Sequence, residues 1–284
     1  MKKFGLSVIL MHLLAGGVVY CQSSATYEVY AFRFGKGGFS KASEIAEGGN
    51  SKDSVADCMM FWLIRGNGKN IMVDAGFTLN SSNNSDQSWN KENYIRPDSA
   101  LTRLNMSAAD ITDIVITHPH WDHIGGIELF PSAQIWMQQD DYVYFTSTAW
   151  QKNGINGGFY PQDVKAIVNK NLKGSLTLIK GDSIEIFPGI RVFVGTKHTW
   201  ESQYLLVNTV TDKVILASDN CWYYYNLEHE ISIPSKYTFD MKAYVNQLKR
   251  MKRLQPNVSL IIPGHDALVF RHFQPVADDV VRIR

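Results

Sequence analysis

The stretch DITDIVITHPHWDHIGG, residues 110–126, decides the fold of this chain. Its first half contains the alternating and then apolar run ITDIVIT at 111–117, which predicts a buried β-strand. Its second half places three histidines and one aspartate within the six positions 118–123, followed by two glycines. Burying that many polar side chains without partners costs roughly several kcal/mol. The stretch therefore predicts a strand that ends in a site where something offsets this cost.

The spacing inside the second half indicates a metal site. His118 and His120 are two residues apart, so an extended segment directs both rings to the same side. Asp122 and His123 follow where the chain turns toward a helix, and the glycine pair at 125–126 lets the backbone pass close by. Imidazole nitrogen and carboxylate oxygen are ligands that zinc accepts, at roughly 2.0–2.2 Å. We therefore predict that this segment binds a metal ion.

Further polar residues lie just beyond the ends of other predicted strands. They are Asp74, His198, Asp219 and His265. Strand ends converge on one edge of layered α/β folds, which predicts that these side chains join the 118–123 cluster. We expect Asp74 to have a supporting role and not to be a ligand. His229 and His272 lie in polar or terminal segments and are expected to be surface or packing residues.

The rest of the 284-residue chain indicates one domain built from two batches of short strands. Two sheets packed together, with helices on the outer faces, account for this order. In chain order, the coarse prediction begins with a strand at 26–35, a Gly- and Ser-rich loop at 35–54, a hairpin at 58–77, a polar loop at 80–93 and a helix at 97–106. Strands at 111–117 and 133–138 follow, and then a run of short strands at 175–181, 183–189, 190–196, 203–209 and 213–219. A helix at 237–254 and a strand at 259–265 complete it. Residues 142–160 are rich in aromatics and are expected to form either a lid over the site or a core helix.

Composition narrows the classes of partner. The formal net charge of +1 offers no electrostatic basis for binding nucleic acid or an anionic membrane. Beyond the N-terminal segment, no apolar run is long enough to span a membrane. Cys58 and Cys221 remain after that segment, and we expect both to be buried and unpaired, with a disulfide as the alternative. Two cysteines cannot form a thiolate zinc site, so a metal here must use histidine and carboxylate.

The N-terminus predicts export. Two lysines at positions 2 and 3 precede a mostly apolar segment at 4–20, and polar residues follow. We expect residues 1–21 to be a secretory signal peptide and residues 22–284 to form a single domain that is periplasmic or secreted. A membrane anchor is the alternative, although this segment is short for one.

The motif HPHWDH at 118–123 resembles the HxHxDH signature of the metallo-β-lactamase superfamily, and VDAGF at 73–77 is similar to its earlier Asp-x-Gly strand. The resemblance implies an α/β fold, a four-layer αββα sandwich, over roughly residues 27–275. It also implies a dinuclear site with two divalent ions, expected to be zinc, although the same ligands accept Fe, Mn and Co. One ion would be held by His118, His120 and His198. The other would be held by Asp122, His123 and His265, with Asp219 bridging both.

Two ions about 3.5–4 Å apart would activate a bridging hydroxide for attack on a substrate carbonyl. Within the superfamily, the chain looks most like N-acyl homoserine lactonases, which open the lactone ring of quorum-sensing signals. The resemblance therefore implies a hydrolase of the carboxylic ester class with an acyl lactone as its small-molecule substrate. Its predicted catalytic side chains are Asp122, Asp219 and Tyr223. The sequence leaves the oligomeric state open, and a homodimer is compatible with it.

One position departs from the lactonase pattern. Such enzymes usually carry a tyrosine three residues after the bridging aspartate, where this chain has Trp222. Because indole cannot act as an acid in place of a phenol, we expect the adjacent Tyr223 to take that role, or the role to be absent. The alternatives are an exported β-lactamase, another ester or thioester metallohydrolase, and a metal-loaded binding module without turnover. The neutral charge disfavours a nuclease or phosphodiesterase.

Overall fold

A computed structural model describes residues 25–79 and 93–284. The predicted signal peptide and nearly all of the predicted loop at 80–93 lie outside these residues. The strands are β1 Glu28–Lys41, β2 Ser54–Gly66, β3 Lys69–Val73, β4 Asp113–Val115, β5 Gln134–Gln138, β6 Leu176–Ile179, β7 Ile184–Phe187, β8 Ile190–Val194, β9 Gln203–Asn208, β10 Lys213–Ser218, β11 Ile261–Pro263, β12 Gln274–Ala277 and β13 Val280–Arg282. The α-helices are α1 Ala42–Ile45, α2 Pro97–Ala100, α3 Trp121–Ile124, α4 Gln139–Thr146, α5 Pro161–Leu172, α6 Tyr224–His229, α7 Met241–Leu254 and α8 Val269–His272.

Within the described residues, the strands form two sheets. The first sheet has eight strands in the order β12-β13-β1-β2-β3-β4-β5-β6, and the second has five in the order β11-β10-β9-β8-β7. In the first sheet, β1, β2 and β3 are antiparallel, whereas β3 to β6 run parallel. The tight turn predicted between β2 and β3 is present: Asn67 and Gly68 have φ of 52° and 74°. This is the backbone that short hairpin turns require.

Successive side chains along each strand point to opposite faces of the sheet, and this explains how the two sheets pack. On β1, Val29 and Ala31 point into a core shared with the second sheet, while Tyr30 and Phe32 point to the other face. That other face is covered by helices, which contribute Phe145 from α4 to the same cluster. The outer face of the second sheet is covered in turn by α7. The order of layers is therefore helix, sheet, sheet, helix, as the two batches of strands predict.

Helix α7 has an N-terminal cap and an apolar face that can both be recognised in the sequence. The Asp240 carboxylate accepts hydrogen bonds from the backbone N–H groups of Lys242 and Ala243, at 2.9 and 3.0 Å, and so caps the helix. Tyr244, Leu248 and Met251 are fully buried and pack in the apolar cluster that contains the strands of the second sheet. Because these residues recur every three or four positions, they lie on one face of the helix, and this face covers the outer face of the second sheet.

The loop predicted at 35–54 is wrong over its first half. Strand β1 continues to Lys41 and is followed by α1, so only residues 46–53 form a loop. The pairing of β1 with β2 shifts register between Arg33 and Gly35 and again between Lys36 and Phe39. These shifts allow a glycine-rich segment to remain paired as a bulged strand. Composition alone therefore indicated a loop where bulges keep the ladder intact.

Other parts of the chain agree with the sequence predictions only in part. The helix predicted at 97–106 is shorter, with α2 passing into a 3₁₀ turn at Leu101–Leu104. The C-terminal strands β12 and β13 are not predicted by the sequence pattern, although they extend the first sheet beside β1. Cys58 and Cys221 are buried and free, which confirms the expectation for them. Among the described residues, no helix has both the length and the apolar character needed to cross a membrane.

Candidate metal centre

The predicted ligands meet at one edge of the sandwich. The segment after β4 supplies His118 and His120, and α3 supplies Asp122 and His123. His198, Asp219 and His265 follow β8, β10 and β11 of the second sheet. The side chains fall into two groups, and within each group the ligand atoms all lie within 4.8 Å of one another. One group is His118, His120, His198 and Asp219, and the other is Asp122, His123 and His265.

Asp219 lies between the two groups. Its Oδ2 atom is 3.2 Å from His198 Nε2 and 3.8 Å from His118 Nε2. Its Oδ1 atom is 3.0 Å from His265 Nε2 and 3.4 Å from His123 Nε2. Each carboxylate oxygen therefore faces a different group of histidines. This is the arrangement by which one carboxylate can bridge two ions.

Four of the histidines use Nδ1 to fix the ring, which leaves Nε2 directed at the centre. His118 Nδ1 lies 3.0 Å from Thr117 Oγ1, and His123 Nδ1 lies 2.8 Å from Asp74 Oδ2. The remaining two rings are held by backbone carbonyls, His198 by Tyr237 at 2.9 Å and His265 by Cys58 at 3.2 Å. Such partners orient the ring and select the tautomer that can bind a metal.

Asp74 links the two sheets beneath these histidines. Its carboxylate accepts hydrogen bonds from Thr117 N at 2.8 Å, Thr117 Oγ1 at 2.9 Å and Ser218 Oγ at 2.8 Å, besides its contact with His123. Asp74 and Ser218 both adopt left-handed backbone, with φ of 62° and 47°. Asp74 therefore supports the cluster without belonging to either ligand group, as the sequence predicts.

His120 enters the centre differently. Its Nδ1 atom lies 2.9 Å from His198 Nε2, so this ring presents the opposite nitrogen to the cluster. The ring packs directly on Gly158, where a Cβ atom would approach His120 Cδ2 to 2.6 Å. Gly158 also has a φ of 79°, a conformation that favours glycine. A side chain at this position would displace His120.

Electrostatics differ between the two groups. Burial lowers the pKa of His118 well below its usual value and that of His120 to about 3, so both rings are neutral near pH 7. Burial also acts on His265, but Asp219 and Asp122 outweigh it and raise its pKa to about 9. Burial alone would raise the pKa of Asp219; His265 and His123 instead lower it well below its usual range. A buried carboxylate surrounded by imidazoles attracts a cation.

The donor set fits divalent metal ions. His118 Nε2, His123 Nε2 and Asp219 Oδ1 are buried and make no well-directed hydrogen bond within the described residues. Leaving such atoms unpaired is costly, and all three face the centre of the cluster. Imidazole and carboxylate donors suit zinc and several other first-row metals. The seven ligands predicted from the sequence are therefore brought together, in the two predicted sets.

A cavity of about 740 Å³ opens onto the centre. Its walls include Met59, Ile155, Phe159, Tyr237 and Phe239, and its floor includes ligands from both groups. The aromatic-rich segment at 142–160 contributes a core helix, as one of its two predicted roles requires, while its role as a lid stays a prediction. Ile155, Gly157, Gly158 and Phe159 line the cavity, whereas Tyr144 and Phe145 of α4 are buried in the core.

Trp222 and Tyr223 both line this cavity, with different partners. Trp222 donates its indole N–H to Asp219 Oδ2 at 2.8 Å, so it contacts the bridging carboxylate directly. Tyr223 donates its hydroxyl to Asp57 Oδ1 at 3.0 Å. Burial, followed by Asp57, raises the Tyr223 pKa well above its usual value. The acid role predicted for Tyr223 at the substrate stays a prediction.

Sequence reasoning missed two features of this site. Asp57 lies within strand β2, where a single acidic residue in a largely apolar run gives no sign of a cavity wall. Gly158 follows another glycine in a segment that reads as a turn, and its contact with His120 depends on the tertiary fold. The pairing of Trp222 with Asp219 was detectable only as a departure from the lactonase pattern. His229 and His272 lie outside both ligand groups, as expected.

Asp141 holds the loop that follows His198. Its carboxylate accepts hydrogen bonds from Thr199 Oγ1 at 2.7 Å and from Glu201 N at 3.2 Å. Burial is the main cause that raises the Asp141 pKa, to about 7, and the negative charge of Glu201 raises it further. The hydrogen bonds from Thr199 and Glu201 and the positive charge of Lys197 act in the opposite direction. A folded pKa above the unfolded value of about 3.8 gives stability that is fully present below pH 4. That stability is lost as the pH rises toward 7.

We therefore expect Asp141→Asn to flatten the pH dependence of unfolding between pH 4 and 8. The free energy of unfolding of the wild-type protein should fall relative to that of the variant, by about 1.4 kcal/mol for each unit of pKa shift. Urea unfolding of the metal-free proteins at several pH values measures this difference, in which the titration of other groups cancels. Asp140→Asn, at the exposed neighbouring position on α4, is the matched control. Parallel pH profiles for wild type and Asp141→Asn would contradict the expectation.

Comparison with known proteins agrees with this architecture. Residues 60–189 match the model of the metallo-β-lactamase superfamily. An N-acyl homoserine lactonase from Bacillus cereus is 26% identical over 168 residues, which cover 58% of this chain. The chain spans 60% of the length of that relative.

Solved structures extend the likeness over most of the chain. A quorum-quenching N-acyl homoserine lactone lactonase superposes with a TM-score of 0.67 at 20% identity, covering 89% of this chain and 98% of the other. A dizinc quorum-quenching lactonase in complex with the product N-hexanoyl-L-homoserine superposes with a TM-score of 0.62 at 15% identity, covering 85% and 90%. These matches confirm the expected four-layer αββα fold.

Proposed function

We propose that this protein is a dinuclear metal-dependent hydrolase that opens the lactone ring of N-acyl homoserine lactones, since residues 60–189 match the model of the metallo-β-lactamase superfamily. The observation that carries the proposal is the position of Asp219, with one oxygen toward each group of histidines. Zinc is the proposed metal, since the donors are imidazole and carboxylate and a structural neighbour is a dizinc lactonase.

Bound at these two groups, divalent ions would activate water at neutral pH and polarise a carbonyl group. The chain's own residues position the reaction. Asp219 keeps both ligand groups at a fixed separation, and Asp122 completes the second group beside His123 and His265. Both carboxylates therefore act in catalysis as ligands, so the reaction needs no nucleophilic side chain.

Two features support the lactone as substrate. The cavity has apolar walls suited to an acyl chain, with Met59 and Phe159 buried close to the ligands. The relatives and structural neighbours named above are lactonases.

We also propose that the protein is exported, on the basis of the signal-like pattern of residues 1–21. Its substrate would then be met in the periplasm or outside the cell. The partner proposed for the site is a small molecule. The sequence leaves the oligomeric state open, with a homodimer as one option.

A substrate panel tests the proposed function. We expect the purified, metal-loaded protein to open long- and short-chain acyl homoserine lactones, measured by proton release or by separation of the ring-opened product. Nitrocefin and a thioester should react much more slowly. Turnover of nitrocefin alone would replace the lactonase proposal with a β-lactamase. Absence of all turnover would leave a metal-loaded binding protein.

A further inference from the structure

Asp57 is an acidic side chain of the cavity wall that belongs to neither metal group. It lies in β2 and is partly exposed toward the cavity. Among the described residues that line the cavity, Asp122 and Asp219 are the other carboxylates, and both are candidate ligands. No Lys, Arg or His side chain within the described residues forms an ion pair with Asp57 within 4.0 Å. The position therefore presents a negative group to whatever occupies the cavity.

The backbone fixes Asp57 beside the ligand His265. Asp57 forms an isolated antiparallel bridge with Asp266, the residue after His265. Cys58 N donates to His265 O at 2.9 Å, and Ala267 N donates to Ala56 O at 3.0 Å. Gly37 of β1 packs on the other side, where a Cβ atom would lie 2.8 Å from Asp57 Cβ. The bulged, glycine-rich part of β1 thus leaves room for Asp57 at this place.

The side chain keeps acceptor capacity toward the cavity. Tyr223 is 4% exposed, and its hydroxyl donates to Asp57 Oδ1 at 3.0 Å. That bond uses one of about four acceptor sites of a carboxylate. Tyr223 therefore orients the group without saturating it. A ligand in the cavity that offers no donor would leave a half-buried acceptor unpaired.

Apolar residues make up much of the remaining wall. Met59 lies two positions further along β2, and Ile155, Phe159 and Phe239 line the cavity from other segments. An apolar chain can occupy this space, but it cannot satisfy Asp57. The cavity therefore suits a molecule that combines an apolar chain with a hydrogen-bond donor close to the reacting carbonyl.

We propose that Asp57 is a specificity-determining residue, which accepts a hydrogen bond from an amide N–H or hydroxyl group of the substrate. This inference rests on the proposed hydrolase function and adds a requirement on substrate chemistry to it. Tyr223 acts as a positioning residue, because it reaches the substrate through Asp57. Sites that hydrogen-bond a substrate group reject analogues that lack it.

Two matched lactones test the assignment. One is N-hexanoyl homoserine lactone, and the other is its ester analogue, in which oxygen replaces the amide N–H. Ring opening by the wild-type protein should favour the amide by about tenfold to a hundredfold in kcat/KM, as expected for a hydrogen bond to a charged group. In Asp57→Ala the amide should lose this advantage, while the rate for the ester should change less than about threefold.

Three further variants sharpen the result. Asp57→Asn keeps the shape and an acceptor for Tyr223, and so covers the case in which Asp57→Ala fails to fold; it should also lower the preference. Tyr223→Phe retains the carboxylate without its partner and should weaken the preference less than Asp57→Ala. Asp278→Ala removes an exposed carboxylate between β12 and β13 and should keep the wild-type preference. Two metal equivalents per chain in each variant show that the centre is intact.

Equilibrium binding separates this inference from the proposed function. The affinities of both lactones for the metal-free protein are measured through tryptophan fluorescence, since Trp222 lines the cavity. A preference for the amide that disappears in Asp57→Ala supports the role of Asp57 even if no ring is opened, a result that would reject the lactonase proposal alone. Ring opening with equal rates and equal affinities for the two compounds would overturn the role of Asp57 and leave the lactonase standing.

Discussion

Asp219→Ala is expected to abolish turnover, lowering kcat by at least about a thousandfold, and to reduce bound metal below two equivalents per chain. The reason is geometric. Asp219 is the residue whose two carboxylate oxygens face different ligand groups, at 3.2 Å from His198 Nε2 and 3.0 Å from His265 Nε2. Without it, no carboxylate lies between the two ligand groups, and the group of His118, His120 and His198 has no anionic ligand. Metal analysis of the dialysed protein, combined with lactone turnover, measures both effects.

Two controls isolate the bridging role from general damage. Asp219→Asn retains the shape and the acceptor for the Trp222 indole, but it removes the charge and weakens the ligand. We expect this variant to fold and still to lose most of its activity. Asp278→Ala, at an exposed position, should retain two metal equivalents and the wild-type rate. Two equivalents and a normal rate in Asp219→Ala would refute the bridging assignment.

Asp74→Ala is expected to destabilise the fold by about 3–5 kcal/mol, because it leaves several buried donors unpaired. Thr117 N, Thr117 Oγ1, Ser218 Oγ and His123 Nδ1 each lose the Asp74 carboxylate as a hydrogen-bond partner. Metal affinity should fall by about tenfold to a hundredfold, since His123 loses the contact that orients its ring. Urea unfolding in the presence of a chelator measures the stability, and competition with a chromophoric chelator measures the affinity.

Asp74→Asn is the matched variant. Asparagine tolerates the left-handed backbone at this position, where φ is 62°, and keeps one acceptor oxygen. The loss of stability should therefore be smaller than for alanine. Unchanged metal affinity in both variants would show that Asp74 stabilises the fold but does not orient the ligand.

The ligands could be predicted from the sequence because each follows an apolar strand. His118 and Asp219 are recognisable from the runs ITDIVIT and KVILAS that precede them, and strand ends converge in layered folds. The cavity wall could not be predicted in the same way. Asp57 reaches it through pairing with residues more than two hundred positions away, and that pairing has no local signal.

The same limit explains the errors in secondary structure. The segment at 35–41 is rich in glycine and reads as a loop, yet β2 and the contact of Gly37 with Asp57 hold it as a bulged strand. The C-terminal strands are short, and they become strands because β1 offers an edge for β13 to pair with. Intrinsic propensity describes the secondary structure that a segment favours in isolation. In these segments, pairing with neighbouring strands determines the secondary structure instead.

The buried network around Asp74 joins parts of the chain that are remote in sequence. Asp74 and Thr117 follow the ends of β3 and β4 in the first sheet, and Ser218 ends β10 in the second. These three residues hydrogen-bond to one another. Ions at the centre would add a second set of bonds across the same seam. Bound metal would then cross-link the two sheets of the sandwich. Separation of the sheets at this edge during unfolding would require the release of an ion.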